Sequence, residues 1–239
     1  VVREVAAAGG SLRVAGSGHS FTPVVATDQT MVSLAHLRGL AEVDRDARLA
    51  TTLAGTPIHE LGPLLHHHGL ALENQGDIDR QAIAGALSTG THGTGIGFGC
   101  LATQLAGLTL LTAEGELLSC SSVHEQELFK AAQVSLGALG VIVRARLACL
   151  PSYVLRDVRE NVDLEACLAE FEDNCRRHRH FEFFWFPYSD RAATKALDVA
   201  EAPRPRSALQ RAVIDKVLET GVFGLASEVV RRVPGAARP

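Results

Sequence analysis

Two stretches of this 239-residue sequence carry residue types at spacings that could do chemistry. The first, Gly16-Ser17-Gly18-His19-Ser20-Phe21, sets one imidazole among small residues. The second, Gly90-Thr91-His92-Gly93-Thr94-Gly95-Ile96-Gly97-Phe98-Gly99, places five glycines in ten residues around another. Glycine lets a ligand approach the backbone closely, and successive N–H groups make a concavity that favours an anion. A phosphate cradle is therefore one reading of each loop. A tight turn after a strand is the other reading of Gly16-Ser17-Gly18, and a flexible turn the other reading of the second stretch. The familiar cradles fit badly. A Rossmann fingerprint would need a third glycine, and Pro23 interrupts the helix that should receive a pyrophosphate. No Gly-Lys-Ser/Thr follows, which excludes a Walker loop. Ser17 and Ser20 lack the strand–turn–helix setting of a hydrolase nucleophile.

The remaining candidates are weaker. His66-His67-His68 suggests a metal site, but three consecutive helical residues point in three directions, whereas ligands on a helix want i, i+4 spacing. A solvated helix end is the better reading. Asp77 and Asp79, close after Asn74 and Gln75, could hold a polyol or cap the following helix, and the spacing favours a cap. His124, His178 and His180 have no partner in the sequence. The five cysteines, Cys100, Cys120, Cys149, Cys167 and Cys175, are odd in number and contain no Cys-x-x-Cys pair. That usage suits reduced thiols in a reducing compartment rather than a disulfide framework or a zinc site.

Patterned segments position these loops. The chain begins inside what reads as the last turns of a helix, stopped by Gly9-Gly10. Leu12–Ala15 is a strand running into the first loop. Met31–Leu34 and Leu40–Asp44 are strands, and Leu49–Ala54 returns as a hairpin partner. Thr56 and Pro57 read as N-cap and first turn of a helix whose apolar face is Ile58, Leu61, Leu64 and Leu65, ended by Gly69. Leu70–Glu73 is extended and Gln81–Leu87 a short helix leading to the second loop. Leu105–Thr112 and Glu116–Cys120 form a hairpin, Glu125–Gln133 a helix, and Val141–Leu150 a strand with one wet face. Beyond Pro151 come a strand (Tyr153–Glu160), an amphipathic helix (Leu164–Arg177), an aromatic strand (Phe181–Phe186) expected to be buried on both faces except at an end where Trp185 or Tyr188 could border a pocket, and a strand near Lys195–Val199. Ala202–Arg206 reads as a linker and Ala208–Val233 as mostly helical.

Composition removes whole classes of function. With 46% hydrophobic and 21% charged residues the chain can bury a core, so it is not disordered. A formal charge of -4 and a pI near 6.2 lack the basic footprint of a nucleic-acid binder. No apolar run approaches the ~18–20 residues of a spanning helix.

The combined motifs resemble the vanillyl-alcohol-oxidase-type, or PCMH-type, FAD enzymes. Ala15–Phe21 looks like their covalent-flavin loop. Leu72-Glu73-Asn74-Gln75-Gly76-Asp77-Ile78-Asp79 with Ile83–Gly95 closely resembles the second flavin loop of the sugar-lactone and alditol oxidase branch. Gly137-Ala138-Leu139-Gly140-Val141-Ile142 is similar to the segment beside the adenine. Phe181–Asp190 and the residues after it look like the start of the substrate domain of D-arabinono-1,4-lactone oxidases. The likeness runs from residue 1 to about 235 in unbroken order.

The resemblance implies an α+β chain: a PCMH-type FAD-binding domain of two α/β subdomains over residues 1–150, then the beginning of an α+β substrate (cap) domain over 151–239. It implies FAD bonded through the His19 ring to the flavin 8α carbon. Gly16, Ser17, Gly18, Ser20 and Phe21 would complete that loop; Gly85, Thr89, Gly90, Thr91, His92 and Gly93 would wrap the diphosphate and flavin; Ile142 would meet the adenosine end. Asp77 stands where alditol oxidases carry a serine touching flavin and substrate, and is Asp as in lactone oxidases. Gly76 matches a position thought to gate oxygen, which a missing Cβ would leave open. Family members begin with a further β-rich segment and continue well past this chain, so a chain truncated at both ends is expected. The implied activity is oxidation of an aldono-1,4-lactone by O2, giving an ascorbate-type product and H2O2. Alditol oxidation or lactone dehydrogenation is the near alternative, and an inactive fragment with weak or no FAD binding the alternative of another class. Expected partners are the sugar lactone or polyol and O2, with a homo-oligomer allowed. A cytoplasmic location is expected, with membrane association left open.

Overall fold

The computed structural model describes residues 1–201. These are α+β, and the chain divides into two compact units, Val1–Ser152 and Tyr153–Pro239. The linker at Ala202–Arg206 and the helix at Ala208–Val233 lie outside the described residues.

In the first unit, helix α1 (Val2–Ala7) ends where Gly9 takes φ +66°, and β1 (Leu12–Ala15) pairs in parallel with β2 (Thr30–Ser33). Strands β3 (Leu40–Asp44) and β4 (Leu49–Leu53) form the expected hairpin, and β5 (Leu70–Ala71) is a short strand. After these come β6 (Leu105–Leu111), β7 (Leu117–Ser121), β8 (Val141–Ala148) and β9 (Leu150–Pro151), the last paired with β5. Five strands make an antiparallel sheet in the order β3-β4-β8-β6-β7. Along β8, Ala145 and Leu147 are fully buried while Arg144 and Arg146 face solvent. That alternation is the signature of a sheet with one wet face.

Helices α2 (Ile58–His67), α3 (Ile83–Ser88) and α4 (Gln126–Ala132) accompany this sheet. Ile58, Leu61 and Leu65 of α2 are buried, but Leu64 is exposed. Thr56 does not cap α2. Its hydroxyl donates to the Leu53 carbonyl at 2.7 Å and accepts from the Gly39 N–H at 2.9 Å. Backbone groups cap instead. The Ile58 and His59 N–H groups donate to the Gln81 and Asp79 carbonyls, while those of Ile83 and Ala84 donate to the Thr56 and Ala54 carbonyls. Asp79 therefore does not cap α3 with its side chain; its carboxylate lies 3.4 Å from the Arg80 guanidinium.

In the second unit, β10 (Val154–Asp163), β12 (Arg191–Ala200) and β11 (His180–Trp185) form an antiparallel sheet in that order. The expected single helix is two, α5 (Leu164–Ala169) and α6 (Phe171–Arg177), with the break at Glu170. Asp163 caps α5 by accepting from the Ala166 N–H at 3.0 Å. Phe171 then lies edge-on to Phe183 and tilted against Phe181. The aromatic strand is not buried throughout: His180 and Phe181 are, whereas Phe184 and Trp185 are about half exposed. Among the described residues no helix is long and apolar enough to cross a membrane.

Candidate functional site

The first unit holds a cleft of about 1050 Å³, its open mouth included. One wall is the end of β1 and the first loop, Val14 to Ser20, with Thr22, Val24 and Val25 beyond it. The opposite wall is α3 and its approach: Gln81, Ala82, Ala84, Gly85, Ala86, Ser88 and Thr89. The turn from Leu136 to Ile142 closes a third side. Among the described residues, His19 is the one ionisable side chain that lines it.

Each wall follows from its sequence. Gly16 has no Cβ, and one placed there would touch the Ala82 Cβ at 3.7 Å and come within 3.9 Å of the Gly85 Cα. The loop backbone therefore rests directly on α3, and Gly18 turns it with φ +72°. Ile83 and Leu87 anchor α3 in the core, leaving Gly85 with open space where a side chain would stand. Leu136, Gly137 and Gly140 take positive φ to make the third side, tied to α3 by the Leu136 N–H on the Ser88 carbonyl.

Among the described residues, the N–H groups of Ser17, Gly18, His19, Ser20 and Phe21 donate no hydrogen bond. The first N–H groups of α3 are already consumed by Thr56 and Ala54. An anion in this cleft would thus be met by the loop amides rather than by a cation. Free amide dipoles, a glycine-lined approach and apolar flanks suit a ligand that is anionic in part and flat and apolar in part, as a dinucleotide flavin is. The residues present fit FAD.

The second glycine loop forms a neighbouring centre. Gly93 abuts the Gln75 carbonyl and the Asn74 side chain so tightly that a Cβ there would run into both. Gly76 is buried, and a Cβ on it would lie 3.2 Å from the Thr91 methyl and 3.3 Å from the His92 carbonyl. The missing Cβ at Gly76 thus lets the second loop approach closely. The Gln81 amide donates to the Thr91 hydroxyl at 3.0 Å, joining this centre to the cleft wall.

Of the residues singled out from sequence, Gly16, Ser17, Gly18, His19, Ser20, Gly85, Thr89 and Ile142 line the cleft together. Phe21 is fully exposed and does not. Gly90, Thr91, His92, Gly93, Gly76 and Asp77 lie outside the lining, with Asp77 and His92 exposed. Sequence reasoning missed Gln81, Val24, Val25 and Leu136 as lining residues. Leu136 owes its place to a φ of +52°, which its residue type does not announce. Among the described residues no group of three or more His, Cys, Asp or Glu could hold a metal.

Comparison with known proteins gives a consistent picture. A family described as "FAD binding domain" matches residues 1–121, and one described as "D-arabinono-1,4-lactone oxidase" matches residues 145–239. The L-gulono-1,4-lactone dehydrogenase of Mycobacterium tuberculosis is 40% identical over 238 residues, 99% of this chain and 55% of that protein. The L-gulonolactone oxidase of Bos taurus is 36% identical over 197 residues, 82% of this chain and 45% of that protein. The chain thus spans about half the length of these relatives. A solved cholesterol oxidase from B. sterolicum superposes with a TM-score of 0.81 at 18% identity, over 98% of this chain and 49% of that one. At that identity the likeness is one of fold.

Proposed function

Because the chain belongs to the FAD-binding domain family matched over residues 1–121, we propose that it holds FAD in the cleft between the first loop and α3, as part of an oxidase of aldono-1,4-lactones. The supporting observation is the convergence of Gly16 to Ser20, Gly85, Thr89 and Ile142 on one cleft whose loop amides are unused. Bound there, FAD supplies the two-electron acceptor for hydride leaving the substrate carbinol carbon. O2 is the proposed final acceptor and H2O2 the by-product, with an ascorbate-type enediol as product.

The chain's own residues bind and orient. The N–H groups of Ser17 to Ser20 would meet the diphosphate charge, where apolar flanks strengthen such dipole contacts. His19 lines the same wall and is the proposed attachment point to the flavin 8α carbon. Gly16 and Gly85 keep the walls free of side chains. Thr91, held by Gln81, presents the second loop at the cleft edge. Asp77, exposed beside Gly76, is the proposed substrate contact, and residues 151–239 are taken as the beginning of the substrate domain. A relative 40% identical is named a dehydrogenase, so the acceptor is a measurable choice. Parallel assays of H2O2 release and dye reduction separate O2 from another acceptor.

The cofactor assignment is tested on acid-precipitated, washed protein run on a denaturing gel. A band fluorescent under ultraviolet light is expected, and His19→Ala should lose it while retaining dissociable FAD. A fluorescent band that persists in the variant overturns the attachment at His19. Failure of the chain to bind FAD at all overturns the cleft reading.

A further inference from the structure

We propose that Gln104, acting with Asn74, is a positioning residue that locks the second glycine loop in register beside the cleft. Gln104 is 5% exposed and Asn74 6%, and both carboxamides are spent on main-chain groups. The Gln104 Nε2 donates to the Asn74 carbonyl at 2.7 Å, and its Oε1 accepts from the Glu73 N–H at 3.0 Å. The Asn74 Nδ2 donates to the Thr94 carbonyl at 3.2 Å, and its Oδ1 accepts from the Gln75 N–H at 2.9 Å. A short chain of two amides thus runs from the 3-10 turn at Leu101–Gln104, through residues 73–75, to the second loop.

Buried amides joined in this way hold one geometry, because any shift strands a polar group without water. The tie lies where the loop has least freedom, since Gly93 is pressed against the Gln75 carbonyl that Asn74 helps fix. It continues to the cleft, because Thr91 accepts from Gln81, a lining residue. Neither Gln104 nor Asn74 lines the cleft. Their effect on a ligand must pass through the loop. This inference rests on the FAD reading of the cleft for its consequence, but the locking itself is a property of the chain alone.

The test compares Gln104→Leu in the 239-residue chain with a control, Leu108→Ala, which opens the sheet core instead. Both are measured by thermal unfolding, FAD titration and amide hydrogen exchange. Gln104→Leu should weaken FAD binding about tenfold more than the control after both are brought to equal margins below their melting temperatures, the scale expected for a lost buried hydrogen bond. Exchange at Glu73 and Gln75 should quicken at least about tenfold, with the β6 and β8 amides unchanged. Equal losses of affinity in both variants, or faster exchange spread evenly over the first unit, would overturn the proposal. If the wild-type chain binds no FAD, the cleft reading fails, and the exchange pattern alone decides whether the loop is locked by Gln104.

Discussion

At Gly93 a single methyl group decides whether the second loop can close. The Gln75 carbonyl and Asn74 side chain leave no room for it, and the Asn74 amide is fixed by the Gln75 N–H and the Thr94 carbonyl. Gly93→Ala should cost about 1–3 kcal/mol, the usual penalty of overpacking. The expected reading is a lower melting temperature and reduced flavin retention, whereas Gly62→Ala, with nothing within 4 Å of its Cβ position, should leave retention intact. The cysteines offer a second prediction. Burial pushes the Cys149 thiol up to about 11, so about a thousandth of it is thiolate at pH 8. Cys100 is only partly buried. Iodoacetamide labelling followed by mass spectrometry should modify Cys100 at least about tenfold faster than Cys149. Equal rates would mean that the core opens readily.

Between strand β12 and the end of α6, one carboxylate ties helix to sheet. Asp198 accepts from the His178 ring at 2.7 Å and from the Arg179 N–H at 2.9 Å. Burial alone would raise this carboxyl, but the Arg179 N–H, the His178 bond and charge, and nearby Arg156 outweigh it and hold it below its usual value. A carboxyl lowered in the folded state adds stability above its unfolded pKa of ~3.9, and that stability is lost as pH falls through the lower folded value. Asp198→Asn should therefore cost about 1 kcal/mol at pH 7. The gap between variant and wild type in urea unfolding should close on acidification below about pH 4. A gap unchanged at pH 2 would refute the assignment. Elements of this kind were legible to different depths. Strand periodicity gave β1, β3 and β8 nearly to the residue, because alternation in Val141–Ala148 survives burial of one face. Thr56 does not cap because its hydroxyl oxygen accepts from the Gly39 N–H instead of a helix N–H, while its proton goes to the Leu53 carbonyl. The break at Glu170 was illegible, since no proline or glycine marks it. In the candidate site, glycine spacing exposed both loops, whereas the lining by Gln81 and Leu136 arises only from long-range approach.

On the scale of the whole chain, the two units carry separate reporters. Every described residue that lines the cleft lies in Val1–Ser152, while the single tryptophan, Trp185, lies in Tyr153–Pro239. A ligand stabilises the unit that binds it, by about 2.7 kcal/mol at a hundredfold excess over Kd. Added FAD should raise the transition seen by far-ultraviolet circular dichroism, and the midpoint followed by Trp185 emission should move less. Equal shifts would mean that both units melt as one. The reciprocal capping of α2 and α3 has a dynamic consequence for the cleft. Each helix begins on carbonyls supplied by the segment that precedes the other, and a bridge between Pro57 and Ala82 closes the exchange. Neither first turn can fray alone, so the two helices form one foldon that opens all at once or stays shut. The wall against which a guest molecule settles is for that reason already stiff before arrival, and little entropy remains to be surrendered there on docking.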